Sequence, residues 1–403
     1  MMASTVVTGL LGIVFWAAAA RSVPTAVVGR DAVLVSALVT LSSVCQLNLV
    51  DAIVRFLPAV GGESRLRRVI QAYSLSAVAS VAGGLAFVLI APNVSSRLAF
   101  IGDGNVAYVF VGGLVLWGLF TLQDAVLTAL RQTVWLPLEN AGFSAMKIVV
   151  LLILAANGSS NAVFLAWVLP TLAVVPLVNL LLVRKGLRRR VPPSDHSEVV
   201  TTRRLIVRFM ALDYGGYVFG QLTTMLLPLI VLTFAGSTQS ALFYMPFTLI
   251  VAFDLLFYGV ATAMTVEGAY DGSRTADLVR TVVRRFLGPQ MLAALLIVVA
   301  APLLLAPFGT EYVDVGTPVL RLLACASVFR AILNLSLAVN RLRGHGGAIV
   351  LAQLVLLVTS AAMSLALVGP LGITGVALGW LAGHVAAVLV VAPNLYGVIR
   401  GTR

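Results

Sequence analysis

The sequence predicts an all-α, polytopic membrane protein of about twelve transmembrane helices, built as two related six-helix halves. Three observations predict it. Of 403 residues, 60% are apolar and only 10% are charged, against about 45–50% and about 25% in a soluble domain. Apolar stretches of spanning length recur along the whole chain, and sequence landmarks recur at a near-constant offset between its halves.

The helices follow from bilayer physics. A hydrocarbon core about 30 Å thick takes about 20 mostly apolar residues per helix, because every backbone polar group must be paired internally. Such segments lie near 3–20, 32–56, 68–91, 106–130, 137–156, 161–184, 205–234, 238–265, 283–305, 316–340, 346–368 and 373–399. Turn chemistry separates them at Ala91-Pro92-Asn93, Asn157-Gly158-Ser159, Ala235-Gly236-Ser237 and Gly369-Pro370-Leu371-Gly372. The first stretch has no basic residue before it, unlike a secretory signal, and is expected to stay as a spanning helix. Cys45 and Cys325 lie inside apolar stretches and read as small apolar residues rather than a disulfide.

Sidedness follows from arginine. With both termini cytoplasmic, the inner loops hold clusters such as Arg65, Arg67 and Arg68 or Arg188, Arg189 and Arg190, while the outer loops hold only Arg21, Arg30 and Arg97. This bias explains the net charge of +12 through membrane topology and anionic lipid headgroups, and no aromatic-interleaved basic surface suggests nucleic acid.

The repeat is read from three landmarks. Gly62-Glu63-Ser64-Arg65 matches Asp271-Gly272-Ser273-Arg274, Ala129-Leu130-Arg131 matches Val339-Asn340-Arg341, and Trp167 matches Trp380, at offsets of 209, 210 and 213 residues. Six helices per unit gives both halves one orientation. The expected organisation is a lobe over 1–184, a cytoplasmic linker over 185–204 with Pro192-Pro193-Ser194-Asp195 at its centre, and a lobe over 205–403.

Two transporter groups share this plan. The loop after the second helix, Gly62-Glu63-Ser64-Arg65-Leu66-Arg67-Arg68, lacks the Asp and Gly usual in the major facilitator group. The run Asn48-Leu49-Val50-Asp51-Ala52-Ile53-Val54-Arg55-Phe56-Leu57-Pro58, the turn Phe308-Gly309-Thr310-Glu311-Tyr312 and the opening Gly372-Ile373-Thr374-Gly375-Val376-Ala377-Leu378-Gly379 resemble the polysaccharide-exporter (Wzx-like) branch of the multidrug/oligosaccharidyl-lipid/polysaccharide (MOP) superfamily. The resemblance implies two six-helix lobes around a cavity that opens alternately to each side. It implies a flippase for polyprenyl-diphosphate-linked oligosaccharides in the plasma membrane, with membrane lipids, glycan polymerases and glycosyltransferases as partners and H+ or Na+ as driving ions. The first helix lacks the acidic coupling residue of many drug exporters.

No nucleotide-phosphate loop, zinc helix or dinucleotide fingerprint occurs, so no cofactor and no metal is expected. His196, His345 and His384 are scattered. The informative residues are ionisable groups within the spans, each costing roughly 2.5–3.5 kcal/mol at a helix centre unless paired or wet: Asp51, Arg55, Asp124, Lys147, Asp213, Asp254, Arg321 and Arg330. Asp51 and Arg55 stand one turn apart on the second helix, as a local ion pair or with Arg55 turned to a diphosphate. Lys147 and Arg330 lie near mid-depth and complete the candidate headgroup site. Asp51, Asp124, Asp213 and Asp254 are candidates for gating or ion coupling, with Asp254 pairing Arg330 or Lys147 as the structural alternative. Arg321, nine residues and about 900° from Arg330, points to the opposite face and is expected to reach the interface. Trp16, Trp117, Trp135, Trp167 and Trp380 read as interfacial or packed rings, with sugar stacking open for Trp16 and Trp117.

Alternative functions are export of drugs or other small molecules, catalysis by a membrane polymerase or ligase, and scaffolding. Short outer loops argue against the enzyme, and charged groups spread through both halves argue for a wet pathway. The arginine bias gives a first testable outcome: reporter fusions at Arg190 and Arg403 should read cytoplasmic and those at Asp103 and Asp314 external, and an external reading at Pro192-Pro193 overturns the topology.

Overall fold

The computed structural model describes residues 2–59, 62–130, 132, 135–183, 203–270 and 275–400, and these are helical almost throughout. Contacts divide the chain into two compact units, Met1–Val199 and Val200–Arg403. The first holds α1 (Met2–Ser22), α2 (Thr25–Cys45), a short α3 (Leu49–Phe56), α4 (Gly62–Val94), α5 (Gly104–Ala129), α6 (Trp135–Ala156) and α7 (Ala162–Leu182). The second holds α8 (Arg203–Ala235), α9 (Ser237–Tyr270), α10 (Thr275–Val282) running through a π turn into α11 (Gly288–Leu305), α12 (Thr310–Leu342) and α13 (Gly346–Arg400). At 55 residues α13 is two passes, broken at Gly372 with φ 58° and ψ −140°, a conformation only glycine adopts without strain. With that break each unit supplies six traversing helices, and nine of the described helices are long and apolar enough to cross a membrane on length and composition. The linker expected over 185–204 falls almost wholly outside the described residues.

The two units repeat one packing scheme. In the first, α1 packs on α6, α4 on α5, α2 on α5 and α5 on α7; in the second, α8 packs on α13, α11 on α12, α9 on α12 and α12 on α13. The apolar surface repeats with it. Leu75, Val78, Leu85 and Leu89 on α4 and Leu292, Leu295, Val299 and Leu303 on α11 are exposed and recur at helical spacing, so each unit turns one wholly apolar helix face outward.

Three expectations about helix ends need correction. The second spanning helix begins at Thr25, directly after Pro24, and ends at Cys45 instead of running over 32–56. Leu47 and Asn48 adopt φ of 51° and 61°, a left-handed pair that no α-helix can contain, so Asp51 and Arg55 ride on the separate α3. Its Ile53 is buried among Leu122, Ala125 and Val126 of α5 while Asp51 is exposed. Second, Ala91-Pro92-Asn93 does not break α4, which continues to Val94 before a 3-10 turn. Third, Gly62-Glu63-Ser64-Arg65 forms the first turn of α4 rather than a loop, and Arg65 is buried.

Small residues set the closest approaches. At Gly113 on α5, an added Cβ would sit 2.8 Å from Val168 and 3.1 Å from Leu38, so α2, α5 and α7 meet over that one glycine. Within α13, Gly375, Gly379 and Gly383 fall on one stripe and face Leu367, Ser364 and Ser360 of the preceding limb, with no room for a Cβ at any of the three. Part of the glycine-punctuated run seen in the sequence is thus the inner face of a helix hairpin. Gly379→Val should overpack this face and lower stability by about 2–3 kcal/mol, read as a reduced unfolding midpoint in detergent, whereas Gly347→Ala, with open space around it, should leave the midpoint unchanged.

Candidate functional site

In the second unit, residues 330, 334, 337 and 341 recur at spacings of four, three and four along α12 and so share one face. They look into a cavity of about 320 Å³ walled by α8, α9, α12 and α13. Its polar lining comprises Tyr217, Gln221 and Thr224 of α8, Asp254 of α9, Arg330, Asn334 and Arg341 of α12, and Gln353, Trp380 and His384 of α13. Arg330 gives Nη1 to Asp254 Oδ2 at 3.0 Å, and its guanidinium carbon lies 5.5 Å from the Trp380 ring. Arg341 gives Nε to Asp213 Oδ1 of α8 at 2.8 Å. His384 Nδ1 lies 2.9 Å from the Trp380 carbonyl; a carbonyl can only accept, so Nδ1 carries a proton. Gln353 Oε1 is buried without a hydrogen-bond partner.

Arg321 stands on the other side of α12, as nine residues of helix require. It is exposed, and its Nε donates to the Val298 carbonyl at 3.1 Å. Pro302, four residues later in α11, has no N–H to give that carbonyl. Arg321 therefore closes a backbone bond that proline opened.

In the first unit the mid-depth cation is Lys147 of α6. Its Nζ lies 4.1 Å from the Trp167 ring centroid, 4.4 Å from Phe15 and 5.6 Å from Phe143, and Trp117 packs on Trp167 and Phe143. No carboxylate pairs with it among the described residues. The two repeat-related tryptophans, Trp167 and Trp380, thus each lie against a buried cation, supplied by α6 in one unit and by α12 in the other. Each contact contributes about 0.5–2 kcal/mol, more as the site dries.

A second polar cluster ties four helices of the first unit together. Tyr73 of α4 donates to Asn179 Oδ1 of α7 at 3.0 Å, Asn179 Nδ2 donates to Gln123 Oε1 of α5 at 2.8 Å, and Gln123 Nε2 donates to Glu139 Oε1 of α6. Asp124 of α5 lies near Asn140, whose Nδ2 donates to the Leu136 carbonyl. Asp124 Oδ1 and Glu139 Oε2 stay buried and unsatisfied. Glu139 also borders a second, mostly apolar cavity of about 290 Å³ lined by Leu138, Met146, Leu177 and Leu181.

The structure brings Asp254 to Arg330 and gives Asp213 to Arg341, a residue expected in a loop. It keeps Asp51 exposed on α3, and the Arg55 side chain lies outside the described residues. Sequence reasoning missed Glu139, the third residue of the span expected to start at 137, and Asp31, one residue before the span expected to start at 32. Asp31 is fully buried, and its Oδ2 accepts from Val163 N at 3.0 Å and Phe164 N at 3.1 Å, capping α7. Pro24 was the available signal for the earlier helix start.

No protein-family model matches the sequence, and no curated protein is similar to it in sequence. Solved structures are similar in fold. An inward-facing multidrug resistance MATE family transporter of the MOP superfamily superposes with a TM-score of 0.67 at 15% identity, over 98% of this chain and 96% of that one. The lipid II flippase MurJ, in an inward closed conformation, gives 0.71 at 12% identity over 100% and 90%. This chain has the fold of the MOP-superfamily transporters. A third structure of that fold, the MATE multidrug transporter DinF-BH, gives 0.68 at 14% identity over 98% and 94%. The MOP fold accounts for six traversing helices per unit and for a multi-pass membrane protein.

The four-helix cluster generates its own test. Gln123 is fully buried and makes two of the three bonds, so Gln123→Leu strands Glu139 Oε1 and leaves Asn179 Nδ2 only its bond to the Val175 carbonyl. The expected loss is about 2–4 kcal/mol, against about 1 kcal/mol for Tyr73→Phe, measured as unfolding midpoints of the purified variants. Equal effects of the two would show that the chain of bonds does not pass through Gln123.

Proposed function

We propose that this protein is a membrane transporter that carries a polyprenyl-diphosphate-linked oligosaccharide from the cytoplasmic to the outer leaflet by alternating access, supplying cell-surface polysaccharide synthesis from the plasma membrane. The observation that carries this reading is the chemistry of the second unit's cavity. Its lining presents two guanidinium groups, each tied to one aspartate through a single nitrogen, and adds amides, hydroxyls and an indole face. Planar guanidinium forks match diphosphate oxygens, while amides and an aromatic ring match sugar hydroxyls and the apolar face of a pyranose. One of the solved structures of this fold is a lipid II flippase, which is consistent with a lipid-linked cargo.

The headgroup residues in this reading are Arg330, Lys147 and Arg55, with Arg341 added by the structure. Asp213 and Asp254 are their counter-charges. Asp124 and Asp51 are kept for gating or for coupling to H+ or Na+, with both termini cytoplasmic and with glycan polymerase and glycosyltransferases as neighbours in the pathway. A second reading, export of an amphiphilic cation, rests on the apolar cavity beside Glu139, where one carboxylate sits among Leu138, Met146 and Leu177.

Mass spectrometry of lipids that copurify with the gently solubilised protein separates the two readings: a polyprenyl-diphosphate glycan supports the first, a small amphiphilic cation the second. A diphosphate crossing about 30 Å of hydrocarbon needs positive charge along a hydrated path. Arg55→Gln, Lys147→Gln and Arg330→Gln should therefore each lower glycan export at least about tenfold while the protein still inserts, with abundance and unfolding midpoint measured beside export because an orphaned ion-pair partner is itself destabilising. Three stable variants with normal export would sink the headgroup assignment.

A further inference from the structure

We propose that the ion pairs Arg341–Asp213 and Arg330–Asp254 are two successive anion stations on one face of α12, at which a diphosphate group displaces each aspartate from its arginine and the aspartate later ejects the diphosphate. The inference rests on the anionic-cargo reading above and adds to it the role of the acids and the order of the steps.

Arg330 and Arg341 are eleven residues apart, which is about 1100°, or about 20° beyond three full turns, and a rise of about 16 Å. Both therefore open on the same cavity, one beside the end of α12 and one deep within it, with Asn334 between them on the same stripe. A headgroup entering from the Arg341 end meets that station first and Arg330 second.

Each arginine uses a single nitrogen for its aspartate: Nη1 at Arg330, at 3.0 Å, and Nε at Arg341, at 2.8 Å. A guanidinium has five donors in a fixed fork, so both pairs leave most of the fork unused toward the cavity. A side chain selected only to neutralise a buried charge gains most by bidentate pairing, and neither pair has it. A diphosphate can engage the fork with two oxygens at once, so it outcompetes a singly bonded carboxylate without the arginine ever losing a counter-charge. Exchange of one anion for another avoids the unpaired state that makes buried charges costly.

The acids belong to different helices from the arginines. Asp213 is on α8 and Asp254 on α9, so occupation of the first station unties α8 from α12, and occupation of the second unties α9. Asp254 is almost fully enclosed, with 6% of its side chain exposed, whereas 25% of the Asp213 side chain is exposed. The displaced Asp254 carboxylate has no comparable access to water, and its drive to regain Arg330 is the force that returns the diphosphate to solution. The buried, unpartnered Gln353 Oε1 beside this stripe offers an acceptor for a hydroxyl of the attached sugar.

The test uses the purified full-length protein with two probes, inorganic diphosphate and farnesyl diphosphate, and pairs binding with glycan export. Asp254→Asn and Asp213→Asn each remove the competing charge, so each should bind both probes about tenfold more tightly while export turnover falls. Tighter binding with slower turnover is a split that loss of a merely structural ion pair does not produce. Arg330→Gln should weaken binding of both probes about tenfold. Asp213→Asn, at the more exposed pair, keeps the test alive if Asp254→Asn does not fold. Unchanged or weaker binding in the aspartate variants overturns the exchange while leaving the cargo reading in place, and tightening confined to inorganic diphosphate marks a free-anion site and overturns the lipid-linked step. Absence of binding of either probe to the unaltered protein overturns the cargo reading itself.

Discussion

Arg330 sits twelve residues, about 18 Å of helix, before the end of α12, at a depth where an uncompensated guanidinium would not remain in hydrocarbon. That single constraint, that charge and polar backbone must be answered from within the protein, organises both units. In the second unit, Asp254 and the Trp380 face answer Arg330, Asp213 answers Arg341, and Arg321 answers the carbonyl left open by Pro302. In the first, aromatic faces answer Lys147, the Gln123 amide answers one oxygen of Glu139, and the amide groups at the start of α7 answer one oxygen of Asp31. The helices could be rearranged in several ways to bury their apolar residues, since Leu and Val pack with little directionality. The polar contacts fix which helix faces which.

The repeated unit meets this constraint in two chemically different ways. At the repeat-related tryptophans the ring persists, while the cation comes from α6 at Trp167 and from α12 at Trp380. At the position corresponding to Arg330 by the 210-residue offset, the first unit has Phe120, which packs on Trp117 and Phe143 and extends the aromatic cluster instead of bringing a charge. A duplicated fold therefore keeps its packing scheme and its indole while the charge moves to a neighbouring helix. Helix contacts are set by many small terms that tolerate substitution, whereas a buried charge is one large term that must be re-answered wherever it moves.

Much of this architecture was legible from composition. Twelve apolar segments, their approximate centres and the two-fold repeat all follow from hydropathy and from arginine placement, because bilayer thickness imposes them on the sequence directly. What was illegible depends on a few dihedral angles. Leu47 and Asn48 turn the chain left-handed in the middle of an apolar run, and neither residue type announces this as a glycine would, so α3 looked like the end of α2. The late start expected for α2 left Asp31 just outside its span, whereas Glu139 lay inside its expected span, near the start of α6, and was open to reading from the sequence. Among the charged residues, helical spacing correctly separated the faces of Arg321 and Arg330. It could not pair Asp213 with Arg341, because that contact joins residues 128 apart in sequence on helices whose rotation is set only by packing.

The contrast between the two units bears on what their charges can do. Lys147 is buried among the rings of Phe15, Phe143 and Trp167, with no carboxylate to exchange among the described residues. Arg330 and Arg341 carry carboxylates already, so an anion there must replace something, and replacement changes how α8 and α9 are tied to α12. The first arrangement suits attraction, since it acts at a distance and leaves its helices packed as before. In the proposed exchange the second suits a change of state, since two interhelical bonds would then depend on whether the cavity holds a competing anion. An ion pair that served stability alone would be better replaced by apolar packing of similar volume. Two such pairs, each singly bonded and both opening on one cavity, are the contacts that the proposed exchange would break and remake.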